Sequence, residues 1–306
     1  MHDYPIEELL WGLAAGVAAL AVALALATAA SRPRSGGRLA PVIGLPIAVA
    51  ALVAIGASGA PTPGVVVGLF GVTAAVALAT AGRPAGGPPR LALSLLVAAP
   101  FAWLLAVDAS PIGWVRAVVV AGATVGPVMA SRTDAERGPT GVTPALYAIS
   151  AAGVFAAVPN TEDAAALLGA SVAGAVAAWP LGRARLGRAG AASATALMVW
   201  VAGVGSLGRE PAIVGAVACL GLLATLPSGR WLADRAMSRH WPPPHQPPGP
   251  LPALIAHTGL VAVTSRVAGT SANLSVAVPV ATATLLVALA LSAMLQRGPA
   301  SSTVLR

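Results

Sequence analysis

Long apolar stretches recur along the chain, separated by short groups of arginine, proline and glycine. Most approach the ~20 residues that an α-helix needs to cross the hydrocarbon core of a bilayer. They lack the alternation of apolar and polar positions expected of a membrane barrel strand. The pattern predicts eleven membrane-spanning helices, at 9–30, 39–59, 65–81, 91–107, 114–130, 143–158, 164–181, 189–206, 211–227, 251–268 and 274–295.

Composition supports an integral membrane protein. Only 9% of the residues are charged and 57% are hydrophobic, whereas about a quarter of the residues of a soluble domain are charged. The first apolar run is longer than that of a cleaved signal, and its arginines follow rather than precede it, so a retained helix is expected. The sequence thus predicts an all-α, polytopic transmembrane helix bundle, one domain over 1–306, with a proline-rich cytoplasmic loop at 228–250 and a cytoplasmic tail at 296–306.

The basic residues predict the topology. All 18 are arginines, and fifteen of them fall in alternate interhelical segments and in the tail. Arg116, Arg209 and Arg266 are the other three. Because positive residues collect on the cytoplasmic side, we expect the N-terminus outside and the C-terminus inside the bacterial cytoplasmic membrane. The net charge of +8 then reflects topology, and no nucleic-acid partner is predicted.

A group of ionisable residues is predicted at the outer face: Asp108, Arg116, Glu162, Asp163 and Arg266. An ionisable residue inside a membrane span is a functional-site hypothesis by default. The two arginines, however, lie close enough to the predicted boundary to reach the lipid head groups. The two adjacent carboxylates suit the first turn of a helix. A functional and a structural interpretation are both open for this group.

Other candidate chemistry is sparse. His257 lies inside a predicted span without an acidic residue at the same depth, which favours a packing role over a proton relay. Cys219 is the single cysteine and also lies in a span, so packing is expected. No HExxH or CxxC pattern suggests a metal site, and no cofactor is predicted. The chain has no lysine, so it lacks the lysine-containing phosphate loop, and an ATP-driven pump is excluded for this chain alone.

Three segments carry a family resemblance. Arg38-Leu-Ala-Pro-Val-Ile-Gly-Leu-Pro46 enters the second predicted helix, Pro89-Arg-Leu-Ala-Leu93 enters the fourth, and a loop with His240 and His245 precedes the tenth. They resemble, in turn, the R…P…GG, P-R-L-K-L and H-x-H-H segments of the polyprenyl-phosphate N-acetylhexosamine-1-phosphate transferases. The resemblance implies ten or eleven helices, an outside N-terminus and functional loops on the cytoplasmic face.

The chain departs from this family at the aspartates that hold Mg²⁺. Ala81-Gly82-Arg83 stands in place of Asp-Asp, Asp134-Ala-Glu-Arg-Gly138 in place of D-G-x-D-G, and Gly182-Arg-Ala-Arg185 in place of G-D-x-G-S. Hard divalent ions need such oxygen ligands, so the resemblance implies a non-catalytic relative without catalytic residues. It would serve as an accessory or lipid-carrier-binding component of bacterial envelope glycan or lipid assembly, with membrane lipids, including polyprenyl phosphate, as partners.

The inner-face residues that could contact an anionic lipid head are Arg83, Arg90, Arg132, Asp134, Glu136, His240 and His245. Three alternatives are open. A transporter or flippase of a small or lipid-linked anionic substrate would need the outer ionisable residues to line a cavity. An active phospho-sugar transferase would use Asp134, Glu136 and the loop histidines. A structural scaffold would need no ligand.

Overall fold

The structure is a computed structural model that describes residues 5–30, 42–58, 62–80, 88–137, 142–158, 161–181, 186–232 and 250–295. Within these ranges it is all-α and contains eleven α-helices, in the order in which the apolar stretches predict them. They are α1 Ile6–Ala30, α2 Gly44–Ser58, α3 Pro63–Thr80, α4 Pro88–Ala109, α5 Gly113–Arg137, α6 Val142–Ala157, α7 Glu162–Leu181, α8 Arg188–Gly205, α9 Ala212–Leu232, α10 Pro250–Val263 and α11 Leu274–Leu295.

Several predicted boundaries are wrong because charge was taken to mark the end of a helix. The segment after Ala130, predicted as a charged loop, is helical as far as Arg137. Arginine and glutamate are good helix formers, and Gly138-Pro139 is the first pair that opposes a helix. Likewise, α9 continues to Leu232, so the first residues of the predicted proline-rich loop are helical. The tail at 296–306 lies outside the described residues.

The predicted tenth span is not a uniform helix. The α-helix α10 ends at Val263, and Thr264–Ala268 form a π-helical turn. The amide of Gly269 donates to the carbonyl oxygen of Thr264 at 3.1 Å, which is the i→i+5 hydrogen bond of a π turn. The sequence shows no break here.

Three helices in the described part are long and apolar enough to cross a membrane: Ala92–Ala109, Gly113–Arg132 and Leu274–Met294. Four further apolar helices of 10–17 residues are shorter than this length. Because a helix needs about 20 apolar residues to span the hydrocarbon core, these three indicate a membrane protein.

Helix α8 lies at the centre of the bundle. Every residue from Gly190 to Gly203 is buried, and the helix contacts α2, α3, α4, α5, α6, α7 and α9. Only alanine, glycine, serine, threonine and large apolar side chains occur in this stretch. Because this whole stretch is covered by other helices, α8 forms the core around which they pack.

Glycines bring α1 and α7 into backbone contact. A Cβ atom on Gly12 would overlap the carbonyl oxygen of Ala166, and one on Gly169 would overlap the carbonyl oxygen of Leu9. One turn further along, Gly16 faces Ala170 and Ala173. Small residues four apart allow such close approach of helices, and the contact suggested by the Gly12 and Gly16 spacing is confirmed. Because later residues of α1 contact later residues of α7, the two helices run parallel.

Contacts between helix ends define the two ends of the bundle. One end, called here the tryptophan end, holds Asp108, Trp114, Trp200 and Glu210. At this end α3, α5, α7 and α9 begin, and α4, α6, α8 and the π turn finish. At the opposite end the amide of Gly44 donates to the carbonyl oxygen of Leu186 at 3.0 Å, so α2 and α8 begin side by side.

We expect Gly12→Ala to destabilise the protein. Alanine favours a helix over glycine by about 1 kcal/mol, but the added methyl group would collide with the backbone of α7, and overpacking costs about 1–3 kcal/mol. Thermal unfolding in detergent measures the change. Gly64→Ala is the matched control, since a Cβ there would meet only the Thr62 hydroxyl oxygen, at 3.5 Å. Equal or higher stability of Gly12→Ala would contradict the contact.

Candidate functional site at the tryptophan end

Asp108 joins three helices. Its Oδ1 atom accepts a hydrogen bond from the Thr62 hydroxyl at 2.6 Å, and its Oδ2 atom accepts one from the indole Nε1 of Trp200 at 2.9 Å. Thr62 precedes α3, Asp108 lies near the end of α4, and Trp200 is a buried residue of α8. Hydrogen bonds to a charged acceptor are stronger than neutral ones, so this carboxylate ties α3 and α4 to the central helix.

A second carboxylate is held in the same way. The indole Nε1 of Trp114, in the first turn of α5, donates to Glu210 Oε2 at 3.0 Å. Glu210 lies in the turn between α8 and α9. Tryptophan buries a large apolar ring while its N–H group finds a polar partner. Nothing in the sequence identifies which tryptophan meets which carboxylate, since each pair is separated by more than ninety residues.

Arg116 binds the backbone of the connection between α4 and α5. Its Nε atom donates to the carbonyl oxygen of Ser110 at 2.6 Å, one residue beyond the end of α4. A positive side chain is favourable where helix carbonyls point outward. The structural interpretation of Arg116 is therefore supported, because its guanidinium holds a turn in place.

The remaining residues of the predicted outer group are not brought together. Glu162 is exposed and Asp163 half-buried in the first turn of α7, and Arg266 is exposed in the π turn. Burial raises the pKa of the Asp163 carboxyl above its usual range, and the charge of Glu162 raises it further. Within the described residues, no ion pair joins any two of Asp108, Arg116, Glu162, Asp163 and Arg266.

A polar cleft opens at the same end, between the turn that joins α8 to α9 and the segment that joins the π turn to α11. Its volume is about 510 Å³, and its polar lining residues are Arg209, Glu210, Thr270, Ser271 and Asn273. The sequence groups Arg209 with Arg116 and Arg266, apart from the other fifteen arginines. It does not indicate that Arg209 and Glu210 face residues 270–274.

The predicted inner-face residues are mostly outside the described part of the chain. Arg83, His240 and His245 lie in segments that the structure does not describe, as do the side chains of Arg90, Asp134 and Glu136. The backbone of Arg90 is in α4, and that of Asp134 and Glu136 is in the last turns of α5. Arg132 is half-buried in α5.

His257 packs between α6, α9 and α10. Its Nε2 atom lies 3.1 Å from the Ser150 hydroxyl oxygen, and that hydroxyl donates to the carbonyl oxygen of Cys219 at 3.3 Å. Either group can donate in their shared hydrogen bond, depending on the tautomer of the histidine. Both His257 and Cys219 are buried, which supports the packing role expected for each.

Over the described ranges there is no group of three or more histidine, cysteine or acidic side chains arranged to hold a metal ion. No protein-family model matches the chain, and no curated protein is significantly similar to it.

We expect Asp108→Ala to lower the stability of the bundle. The change removes two hydrogen bonds and leaves the buried Trp200 indole N–H without its acceptor, and hydrogen bonds to charged groups contribute about 1.5–3 kcal/mol each. Asp108→Asn should have an intermediate effect because its amide offers one acceptor oxygen for two donors. Thermal unfolding, together with the emission wavelength of tryptophan fluorescence, measures both. Glu162→Ala, which removes an exposed carboxylate, should be near neutral.

Proposed function

We propose that the protein is a multi-pass protein of the bacterial cytoplasmic membrane whose eleven helices all span the bilayer, with the N-terminus outside. We further propose that it acts without catalysis, as an accessory or lipid-carrier-binding component of envelope glycan or lipid assembly. The observation that carries the proposal is the unequal distribution of arginine between the two ends of the bundle.

Fifteen of the 18 arginines fall, along the sequence, in terminal turns of helices or interhelical segments that alternate with those of the tryptophan end, or in the tail that follows α11. Arg116, Arg209 and Arg266 belong to the tryptophan end. Positive residues are retained on the cytoplasmic side, which supports a cytoplasmic arginine-rich end and an outer tryptophan end.

The arginine-rich end is suited to an anionic lipid head group. Arg32, Arg34 and Arg38 precede α2, and Arg183, Arg185 and Arg188 precede or begin α8. The hydrogen bond from Gly44 to Leu186 means that both segments join the bundle at one point. Arginine binds phosphate with two parallel hydrogen bonds, and each basic residue near a membrane surface contributes about 1 kcal/mol to the attraction of anionic lipid.

The resemblance to the polyprenyl-phosphate transferases supports polyprenyl phosphate as the lipid. The active-transferase alternative is less well supported. It would use Asp134, Glu136 and the loop histidines, yet the family's Mg²⁺-binding aspartates are replaced by Ala81-Gly82-Arg83 and Gly182-Arg-Ala-Arg185 in this chain.

The transporter or flippase alternative has one observation in its favour. Helix α10 gives way to a π turn at Thr264–Ala268, and π turns are frequent at functional sites. Against it, the two oxygens of Asp108 and the Arg116 guanidinium already bind the protein's own groups. Carrier binding therefore has the broader support.

The topology predicts the accessibility of single cysteines. In a Cys219→Ser background, Gly113→Cys should react with a membrane-impermeant maleimide in intact cells, because Gly113 is exposed at the tryptophan end. Ser301→Cys, in the tail, should react only after the membrane is opened. Labelling of Ser301→Cys in intact cells, or protection of Gly113→Cys, would contradict the proposed orientation.

Carrier binding predicts that polyprenyl phosphate co-purifies with the protein in mild detergent. Native mass spectrometry should detect the lipid on the wild type and less of it on Arg83→Ala/Arg90→Ala, because two of the expected phosphate contacts are removed. Arg209→Ala/Arg266→Ala removes the same charge from the tryptophan end and should retain the lipid. Absence of polyprenyl phosphate from the wild type, or equal loss in both double variants, would contradict the proposal.

A further inference from the structure

The cleft at the tryptophan end is a formed feature of the fold. Its two walls are the turn Gly208–Pro211 and the segment Thr270–Leu274. A Cβ atom on Gly215 would overlap the backbone of Gly269, so α9 and the end of the π turn are in direct backbone contact beneath it. The volume of about 510 Å³ lies within the range of small-ligand sites, roughly 300–1,000 Å³.

The cleft contains two opposite charges that do not neutralise each other. Glu210 turns one carboxylate oxygen to the Trp114 indole at 3.0 Å. Its neighbour Arg209 is exposed, and its guanidinium has no hydrogen bond or ion pair with any described residue. A ligand entering the cleft therefore meets one positive and one negative group.

The hydroxyl groups of the cleft are oriented as acceptors. The Thr270 hydroxyl donates to the carbonyl oxygen of Arg266, and the Ser271 hydroxyl donates to the carbonyl oxygen of Asn273 at 3.0 Å. Their protons are thereby used. The Ser271 oxygen also accepts the amide of Asn273 at 3.2 Å, so one of its lone pairs and those of the Thr270 oxygen remain to accept hydrogen bonds. Together with the Glu210 carboxylate, they suit an ammonium group, which only donates.

The positive side of the cleft is reinforced by a helix. Asn273 Oδ1 accepts the amide of Ser275 at 2.9 Å and so caps α11, a helix of 22 residues. The N-terminus of a helix carries a partial positive charge. Here it lies on the same cleft as the Arg209 guanidinium, and both favour an anionic group.

We propose that this cleft binds a small zwitterion with a primary ammonium group and a carboxylate or phosphate a few bonds away. Arg209 and the start of α11 receive the anionic group, and Glu210 with the Thr270 and Ser271 hydroxyl oxygens receives the ammonium. A simple anion would be repelled by Glu210, and a simple cation by Arg209. Free amino acids and the phosphoethanolamine head group of a phospholipid share this chemistry.

The test uses the full chain in phosphatidylcholine nanodiscs and isothermal titration calorimetry with alanine, O-phosphoethanolamine and phosphocholine. Phosphocholine carries the same anion but no ammonium N–H. We expect alanine or O-phosphoethanolamine to bind at least about tenfold more tightly than phosphocholine, since a lost charge-assisted hydrogen bond corresponds to about this factor.

Arg209→Gln and Glu210→Gln should each weaken binding to a similar degree. The Glu210→Gln variant keeps an acceptor oxygen for the Trp114 indole. The control Arg266→Gln changes a residue outside the cleft lining, and this variant should bind the probes as the wild type does.

A second measurement separates the two sources of the ligand. Native mass spectrometry compares retention of phosphatidylethanolamine and phosphatidylcholine after purification from an equimolar mixture. Selective retention of phosphatidylethanolamine that is lost in Arg209→Gln and Glu210→Gln supports the proposal and assigns a lipid, while calorimetric binding of the soluble probes assigns a soluble ligand. Failure of both measurements, or binding that both variants leave unchanged, would overturn it. The result is independent of carrier binding, which concerns the opposite end.

Discussion

The fold depends on the burial of one helix on all sides. Because α8 has no lipid-facing or solvent-facing surface between Gly190 and Gly203, its polar side chains must find partners on the helices around it. The Ser193 hydroxyl pairs with that of Thr73 of α3 at 2.8 Å, and the Trp200 indole donates to Asp108 of α4 at 2.9 Å. In addition, the backbone carbonyl oxygen of Ala191 accepts the Tyr147 hydroxyl of α6 at 2.7 Å. Between helices in a membrane, apolar packing alone does little to fix how far one helix is shifted along its axis relative to the next. These hydrogen bonds therefore fix the axial position of each neighbouring helix relative to α8.

The tryptophan end is a consequence of that arrangement. Once Trp200 has bound Asp108, the end of α4 and the start of α3 are placed, and Arg116 and Trp114 hold the connections that follow. The carboxylates and arginines of this end are therefore largely structural. Arg209 and Glu210 also line a cleft, and Glu210 in addition binds the Trp114 indole of α5.

The two ends of the bundle have different electrostatic character. Along the sequence, fifteen of the 18 arginines fall in terminal turns of helices or interhelical segments that alternate with those of the tryptophan end, or in the tail. The tryptophan end combines the other three arginines with carboxylates that bind indole and hydroxyl groups. An anionic lipid head suits the first end and a zwitterion the second.

The sequence by itself determined the number, order and approximate position of the helices, because hydropathy over about 20 residues is a local property. It also determined the scarcity of acidic chemistry and the unequal placement of arginine. Helix ends near charge were misplaced, since Arg132 and Glu136 suit a helix as well as a loop. Only the tertiary structure decided that α8 is central, that Asp108 meets Trp200, and that Arg209 faces residues 270–274. The helices are so similar in composition that the sequence of one does not indicate which others it contacts. These pairings therefore depend on packing between distant parts of the chain.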